Sequence, residues 1–153
     1  MSKLDYEITI PIKASSAKVW KALIEQTNQW WLPDFHVAGA DSVVTLDVAP
    51  GGLGLIEQSP NGAWLSWYEV QMYLPSDFKI YLIGHVAPEW GGPATSSLQL
   101  ALTSDAGDEE SCVLKIVDAR HGASVEDQVE SYKAGWTNLF TDGLKKFVET
   151  GSI

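Results

Sequence analysis

The chain has 153 residues, 45% of them apolar and 20% charged, enough for one hydrophobic core and too apolar for a disordered or low-complexity segment. Twenty acidic residues against ten basic ones give a formal net charge of −10, which repels phosphate backbones and anionic lipid surfaces and so excludes nucleic acid and membrane as partners. Arg120 is the only arginine among the basic residues, so forked recognition of a carboxylate or phosphate has one residue to draw on.

Leu4, Tyr6, Ile8, Ile10 and Ile12 alternate with Asp5, Glu7 and Thr9, the period of a half-buried strand. After Pro11 and the Ser15-Ser16 pair the spacing becomes four: Val19 and Leu23 form one row, Trp20 and Ile24 the next. This predicts a short helical region capped by a serine and ended by Leu32-Pro33, since proline disfavours helical geometry at the residue before it. Strands are predicted near Val43 to Val48, Leu53 to Gln58, Trp64 to Leu74, Phe78 to Val86, Ser96 to Thr103 and Cys112 to Asp118, because Gly, Pro, Asn and Asp cut the apolar runs between them. Such short connections favour antiparallel neighbours. Val125, Val129, Tyr132, Trp136, Leu139 or Phe140, Leu144 and Phe147 then recur at steps of three and four. They predict a final amphipathic helix of about 25 residues and roughly 37 Å, with Ser124 as cap, Glu126 and Asp127 in its first turn, and Lys145 and Lys146 in its last. No repeat and no interdomain linker interrupts residues 1–153, which read as a single domain.

Four stretches carry a family resemblance. Residues 8–20, Ile-Thr-Ile-Pro-Ile-Lys-Ala-Ser-Ser-Ala-Lys-Val-Trp, are similar to a first strand followed by an alanine-proline-proline-x-x-valine-tryptophan helix entry. Trp30-Trp31-Leu32-Pro33 is similar to a tryptophan pair before a loop, Pro50-Gly51-Gly52 to a double-glycine turn, and Gly135-Trp136 with Leu139 to a final-helix signature. In this order they resemble the SRPBCC (START and birch-pollen-allergen-like) superfamily, and within it single-domain relatives of the activator of heat-shock-protein ATPase. Ser15-Ser16 stands where prolines are common, and Trp64 to Gly84 is more aromatic than the pattern. The co-chaperone that names the family has a separate N-terminal half with no counterpart in these residues, so the family name is not taken as the function. The resemblance implies an α+β helix-grip fold, a curved antiparallel sheet of about seven strands around a long C-terminal helix, with a short helical region after strand one.

A sheet gripping one helix leaves a gap that serves small-molecule binding. The residues expected at that gap are Tyr68, Met72, Leu82, Leu100 and Ile116 from the sheet, Asp118 at the end of its last strand, Tyr132, Trp136 and Phe140 from the helix, and Trp31 and Phe35 at the mouth. The alternative is that the apolar ones fill a solid core. Asp118, Arg120 and His121 form the one dense polar cluster. It reads as a solvated turn with a local ion pair, with the alternative that Asp118 and His121 move a proton while Arg120 orients an acidic ligand. Trp67, Tyr73 and Tyr81, on the other strand phase, would line a homodimer face.

His36, His85 and His121 lack metal-ligand spacing, the acidic turn Asp105 to Glu110 lacks a calcium-loop pattern, and Gly52-Leu53-Gly54 lacks the third glycine of a dinucleotide fingerprint. No metal, cofactor or catalytic residue is therefore assigned. Cys112, the single cysteine, excludes an internal disulfide and suits a reducing compartment. With acids interrupting residues 1–13 and no run of membrane-spanning length, the chain reads as soluble and cytoplasmic. The functional expectation is binding of an apolar or aromatic small molecule in the cavity between sheet and helix. The alternatives are a cyclase- or aromatase-like enzyme using the same cavity, or a co-chaperone-type interaction protein.

Overall fold

The computed structural model describes residues 2–105, 107–123 and 128–153. Strand β1 (Ser2–Ile12) follows the alternation of its sequence, with Ile8, Ile10 and Ile12 buried and Asp5, Glu7 and Thr9 exposed. The strands that follow are β2 (Val43–Asp47), β3 (Gly54–Gln58), β4 (Trp64–Leu74), β5 (Lys79–Val86), β6 (Ala94–Asp105) and β7 (Asp108–Gly122). They pair antiparallel in one sheet of order β1-β7-β6-β5-β4-β3-β2. β1 and β2 are its two edges. The sheet curves around the C-terminal helical segment, which is the helix-grip architecture.

Between β1 and β2 the chain forms α1 (Ser16–Glu25) and α2 (Thr27–Trp30). The cap is Ser15, whose Oγ accepts from the Lys18 N–H at 3.2 Å, satisfying one of the donors a helix start leaves free. Trp30 folds back on α1, its Nε1 donating to the Ala22 carbonyl at 2.8 Å. Asn28 Oδ1 accepts from the Val44 N–H at 2.9 Å and ties the β2 edge to α2.

Two irregularities in β4 decide which of its side chains face inward. Leu55 pairs with Tyr68 but Ile56 with Ser66, leaving Trp67 as the extra residue against β3. Val70 pairs with Leu82 but Met72 with Tyr81, leaving Gln71 extra against β5. Each bulge reverses the alternation and bends the strand. The inward phase expected for Tyr68, Val70 and Met72 therefore holds only to Val70. Met72 is 46% exposed, which corrects its expected place at the gap. Tyr73, expected on the outer face, stacks on Trp20 with ring centroids 6.0 Å apart. The outer aromatic row of Trp67, Tyr73 and Tyr81 is thus broken, since Trp67 also packs inward, edge-on to Trp31 at 5.5 Å.

The C-terminal helix is continuous but changes winding: α3 (Val129–Asn138), a π-helical stretch Leu139–Lys145, and α4 (Lys146–Thr150), closed by Gly151 in the left-handed conformation. Its predicted start at Ser124, with Val125, Glu126 and Asp127, lies outside the described residues. Trp136, Leu139, Phe140 and Leu144 face the core as the stripe requires, but after the π-helical stretch it is Val148 that is buried, while Phe147, expected on the stripe, is half-buried. The wider turn coincides with a close backbone approach: a Cβ on Gly143 would lie 2.4 Å from the Trp30 carbonyl oxygen. Gly143→Ala is expected to destabilise the fold by about 1–3 kcal/mol, because helix and Trp30 must separate. A urea-unfolding midpoint unchanged by the substitution would show that the contact relaxes freely.

Candidate functional site

Below its middle the helix closes on the sheet, where Leu139 and Leu144 are fully buried against Ile12, Ile80 and Leu114. Toward its N-terminal end the two separate around a cavity of about 300 Å³. Tyr132 and Trp136 of α3 form one wall. Leu65, Trp67 and Tyr68 of β4, Gly84 and Val86 of β5, and Arg120 of β7 form the other. Val37, His85 and Trp90, all exposed, sit at its rim. A second, larger groove of about 970 Å³ lies between the α1–α2 region and β2, floored by Trp20, Val44 and Tyr73; none of the buried charged groups lines it.

Local pairing explains the cavity's polar lining. Leu114, Ile116, Asp118 and Arg120 occupy alternate positions of β7 and all face inward. Asp118 lies opposite Tyr6 of β1 and Leu98 of β6, and Arg120 opposite Ser96. Asp118 is fully buried and accepts four hydrogen bonds. Its Oδ2 receives the Tyr6 hydroxyl at 2.5 Å, Arg120 Nε at 2.8 Å and Trp136 Nε1 at 3.2 Å; its Oδ1 receives Ser96 Oγ at 2.7 Å. Because Ser96 spends its proton on Asp118, the Tyr68 hydroxyl, 2.7 Å from Ser96 Oγ, is the donor of that pair. The arrangement depends on Gly84. On β5 it pairs with Ser96, directly under the path from Tyr68 to Ser96, and a Cβ there would lie 2.5 Å from the Trp67 carbonyl oxygen and 2.9 Å from the Tyr68 ring.

These surroundings set the protonation states. Burial, and then the Asp118 charge, push the Tyr68 phenol above its ordinary range; burial, then the hydrogen bond to Asp118, do the same for Tyr6. Both stay protonated. Burial, the largest influence, would lower the Arg120 guanidinium, but the Asp118 charge, Tyr68, the hydrogen bond to Asp118 and Tyr6 together outweigh it and the net direction is upward. Arg120 is 6% exposed and its guanidinium carbon lies 3.6 Å from the Tyr132 ring centroid, a cation–π contact in a desolvated setting.

A second buried carboxylate, Glu57 of β3, fixes the rim. Its Oε2 accepts from the Ala38 N–H at 2.5 Å and Ser42 Oγ at 2.7 Å, and its Oε1 from Trp67 Nε1 at 3.1 Å. It thereby pins the loop bearing Val37 to a wall residue. Burial works to raise the Glu57 carboxyl, but hydrogen bonds from Ala38, Ser42, Val37 and Trp67 win and hold it below its ordinary value of 4.5.

Of the residues expected at the gap, Tyr68, Tyr132 and Trp136 line the cavity, and Asp118 lies behind it, bonded to Trp136 and Arg120. Leu82, Leu100, Ile116 and Phe140 are buried in the closed part of the core. Trp31 is buried behind Trp67, with its Nε1 donating to the Phe35 carbonyl at 3.0 Å, and Phe35 is half-buried beside it. The Asp118–Arg120–His121 cluster is not a solvated turn: strand alternation buries the first two and leaves His121 exposed on the opposite face. Asp118 and His121 therefore cannot share a proton in one site. Trp67, Trp90, Val37, Gly84 and Arg120 were not among the expected gap residues. Two signals pointed to some of them: an isolated glycine in a strand marks a close approach, and continuing the alternation of Leu114 and Ile116 leads to Arg120.

No family model matches the sequence, and no curated protein matches it. Solved structures do. Ara h 8.0201 is 11% identical with a TM-score of 0.66, over 97% of this chain and 99% of that one. Norcoclaurine synthase from Thalictrum flavum, in complex with dopamine and hydroxybenzaldehyde, is 15% identical with a TM-score of 0.61, over 99% and 90%. A Chromobacterium violaceum protein is 16% identical with a TM-score of 0.65, over 95% and 96%. What this chain shares with these structures is the helix-grip fold.

Two substitutions test the site's construction. Gly84→Ala should lower stability by about 1–3 kcal/mol, since the new methyl group must displace Tyr68 or the β4 backbone; unchanged thermal unfolding would show that β4 yields easily. Glu57→Gln should cost about 1–3 kcal/mol at neutral pH by weakening charge-assisted hydrogen bonds. A carboxyl depressed in the folded state stabilises above its unfolded value, 4.5, and that contribution disappears as pH falls through the folded value. The stability gap between wild type and Glu57→Gln should therefore narrow below pH 4.5 in urea titrations at stepped pH. A gap that stays constant would remove the assignment of that charge to Glu57.

Proposed function

We propose that this protein binds a small aromatic or apolar molecule in the cavity between the sheet and the N-terminal end of α3. The observation that carries the proposal is a cavity of about 300 Å³ whose walls include the rings of Trp67, Tyr68, Tyr132 and Trp136. A dry apolar cavity of about 150 Å³ holds benzene, so this space suits one or two fused rings with a short substituent. The solved complex of norcoclaurine synthase with dopamine and hydroxybenzaldehyde supports the choice of guest size, since that protein shares the fold and holds one-ring aromatics.

Binding without a proton-transfer step fits the inner groups best. Asp118 already accepts four hydrogen bonds, and the phenols of Tyr6 and Tyr68 are held protonated, so these groups brace the cavity wall rather than exchange protons with a guest. The tryptophan pair and the double-glycine turn support kinship with single-domain relatives of the activator of heat-shock-protein ATPase, and the lone buried Cys112 suits a cytoplasmic binder.

Val86 shares the inward phase of Gly84 and lines the cavity. Val86→Phe should fill part of it and weaken 2-naphthamide about tenfold or more in calorimetric titration, while the melting temperature changes little. Native mass spectrometry of freshly purified protein should show a co-purifying small molecule in the wild type and less of it in the variant. Equal affinity of 2-naphthamide for both proteins would place binding outside this cavity.

A further inference from the structure

The chain's only arginine is spent in an unusual place. Arg120 is 94% shielded from solvent, being 6% exposed, and lines the cavity. Of its five N–H donors, only the one on Nε meets a protein acceptor among the described residues, Asp118. Beside it, the Tyr132 hydroxyl oxygen is buried with no hydrogen-bond partner among the described residues. A buried phenol without a partner is costly, and native proteins leave few such groups. The wall of an aromatic cavity thus carries a fixed fork of donors next to a lone phenol.

We propose that the cavity selects a planar aromatic carboxylate, its acid group received by the Nη1 and Nη2 fork of Arg120 and its ring held between Trp67, Tyr68 and Trp136. The inference rests on the reading of this cavity as an aromatic-binding site. Two parallel N–H donors match the two oxygens of a carboxylate and favour it over a neutral carbonyl, which takes one. Arg120 is the only lysine or arginine in the lining, and Asp118 offsets part of its charge. A singly charged acid therefore fits better than a phosphate ester, whose second charge would lie unpaired against aromatic walls. Tyr132 supplies a further donor within the same wall.

The test is calorimetric titration of the whole protein with 2-naphthoate and with its neutral isostere 2-naphthamide. Wild type should bind the acid about tenfold or more tightly than the amide. Arg120→Lys keeps a positive charge beside Asp118 but lacks the fork; it should reduce the preference for acid over amide to about threefold or less. If Arg120→Lys fails to fold, the double variant Arg120→Gln with Asp118→Asn, which replaces the ion pair by a neutral one, should likewise lose the preference. Equal wild-type affinity for acid and amide would overturn acid selection and leave aromatic binding standing. Preference retained in both variants would overturn Arg120 as the receptor. Absence of binding by both probes would overturn this inference together with the aromatic-binding reading beneath it.

Discussion

The buried Asp118 carboxylate is the constraint from which the upper half of this molecule is built. It carries a charge out of water, and that is tolerable only if donors surround it. They come from four directions: Tyr6 on β1, Ser96 on β6, Arg120 on β7 and Trp136 on α3. The hydrogen bond from Trp136 ties the helix to the sheet by a polar contact instead of by close apolar packing. Ser96 extends the network to Tyr68 on β4, so one side chain ties three further strands and the helix into a common register. In a low-dielectric interior such a network rigidifies the groups it joins.

This explains why the helix grips tightly at one end and loosely at the other. From Leu139 onward its inward side chains meet aliphatic residues of α1 and of the sheet, and the layer is closed. Near Tyr132 and Trp136 it meets the polar network and the bulged part of β4, where neither surface supplies side chains that fill the space. The cavity is therefore a consequence of where the charge is buried. Glu57 plays the corresponding part at the rim, joining the loop through Ala38 and Ser42 to Trp67. Both carboxylates hold aromatic walls in place through tryptophan N–H groups, a use for indole donors that burial would otherwise leave unsatisfied.

Solved structures 11–16% identical to this chain share its backbone plan but few of its side chains. A plan of this kind fixes where a guest could sit; the guest's chemistry depends on residues such as Arg120 and Tyr132 that the plan does not dictate.

Alternation in β1 and β7, the glycine- and proline-bearing turns, and the apolar stripe of the final helix are local patterns, and they determined by themselves the order of the elements and the inward face of β1. Tyr68, Tyr132 and Trp136 were legible as cavity residues because each lies on such a stripe. Met72 and Trp67 were not. A bulge exists only relative to the neighbouring strand, so nothing in the run from Trp64 to Leu74 announces that two of its residues have no partner. The alternation of Leu114 and Ile116 points Arg120 inward, but what makes its burial tolerable was hidden, because β1, β6 and α3 converge on Asp118 from distant parts of the chain. Periodicity is a property of a few neighbouring residues, whereas strand register and desolvation are properties of the assembled surface, and only the tertiary structure decided them.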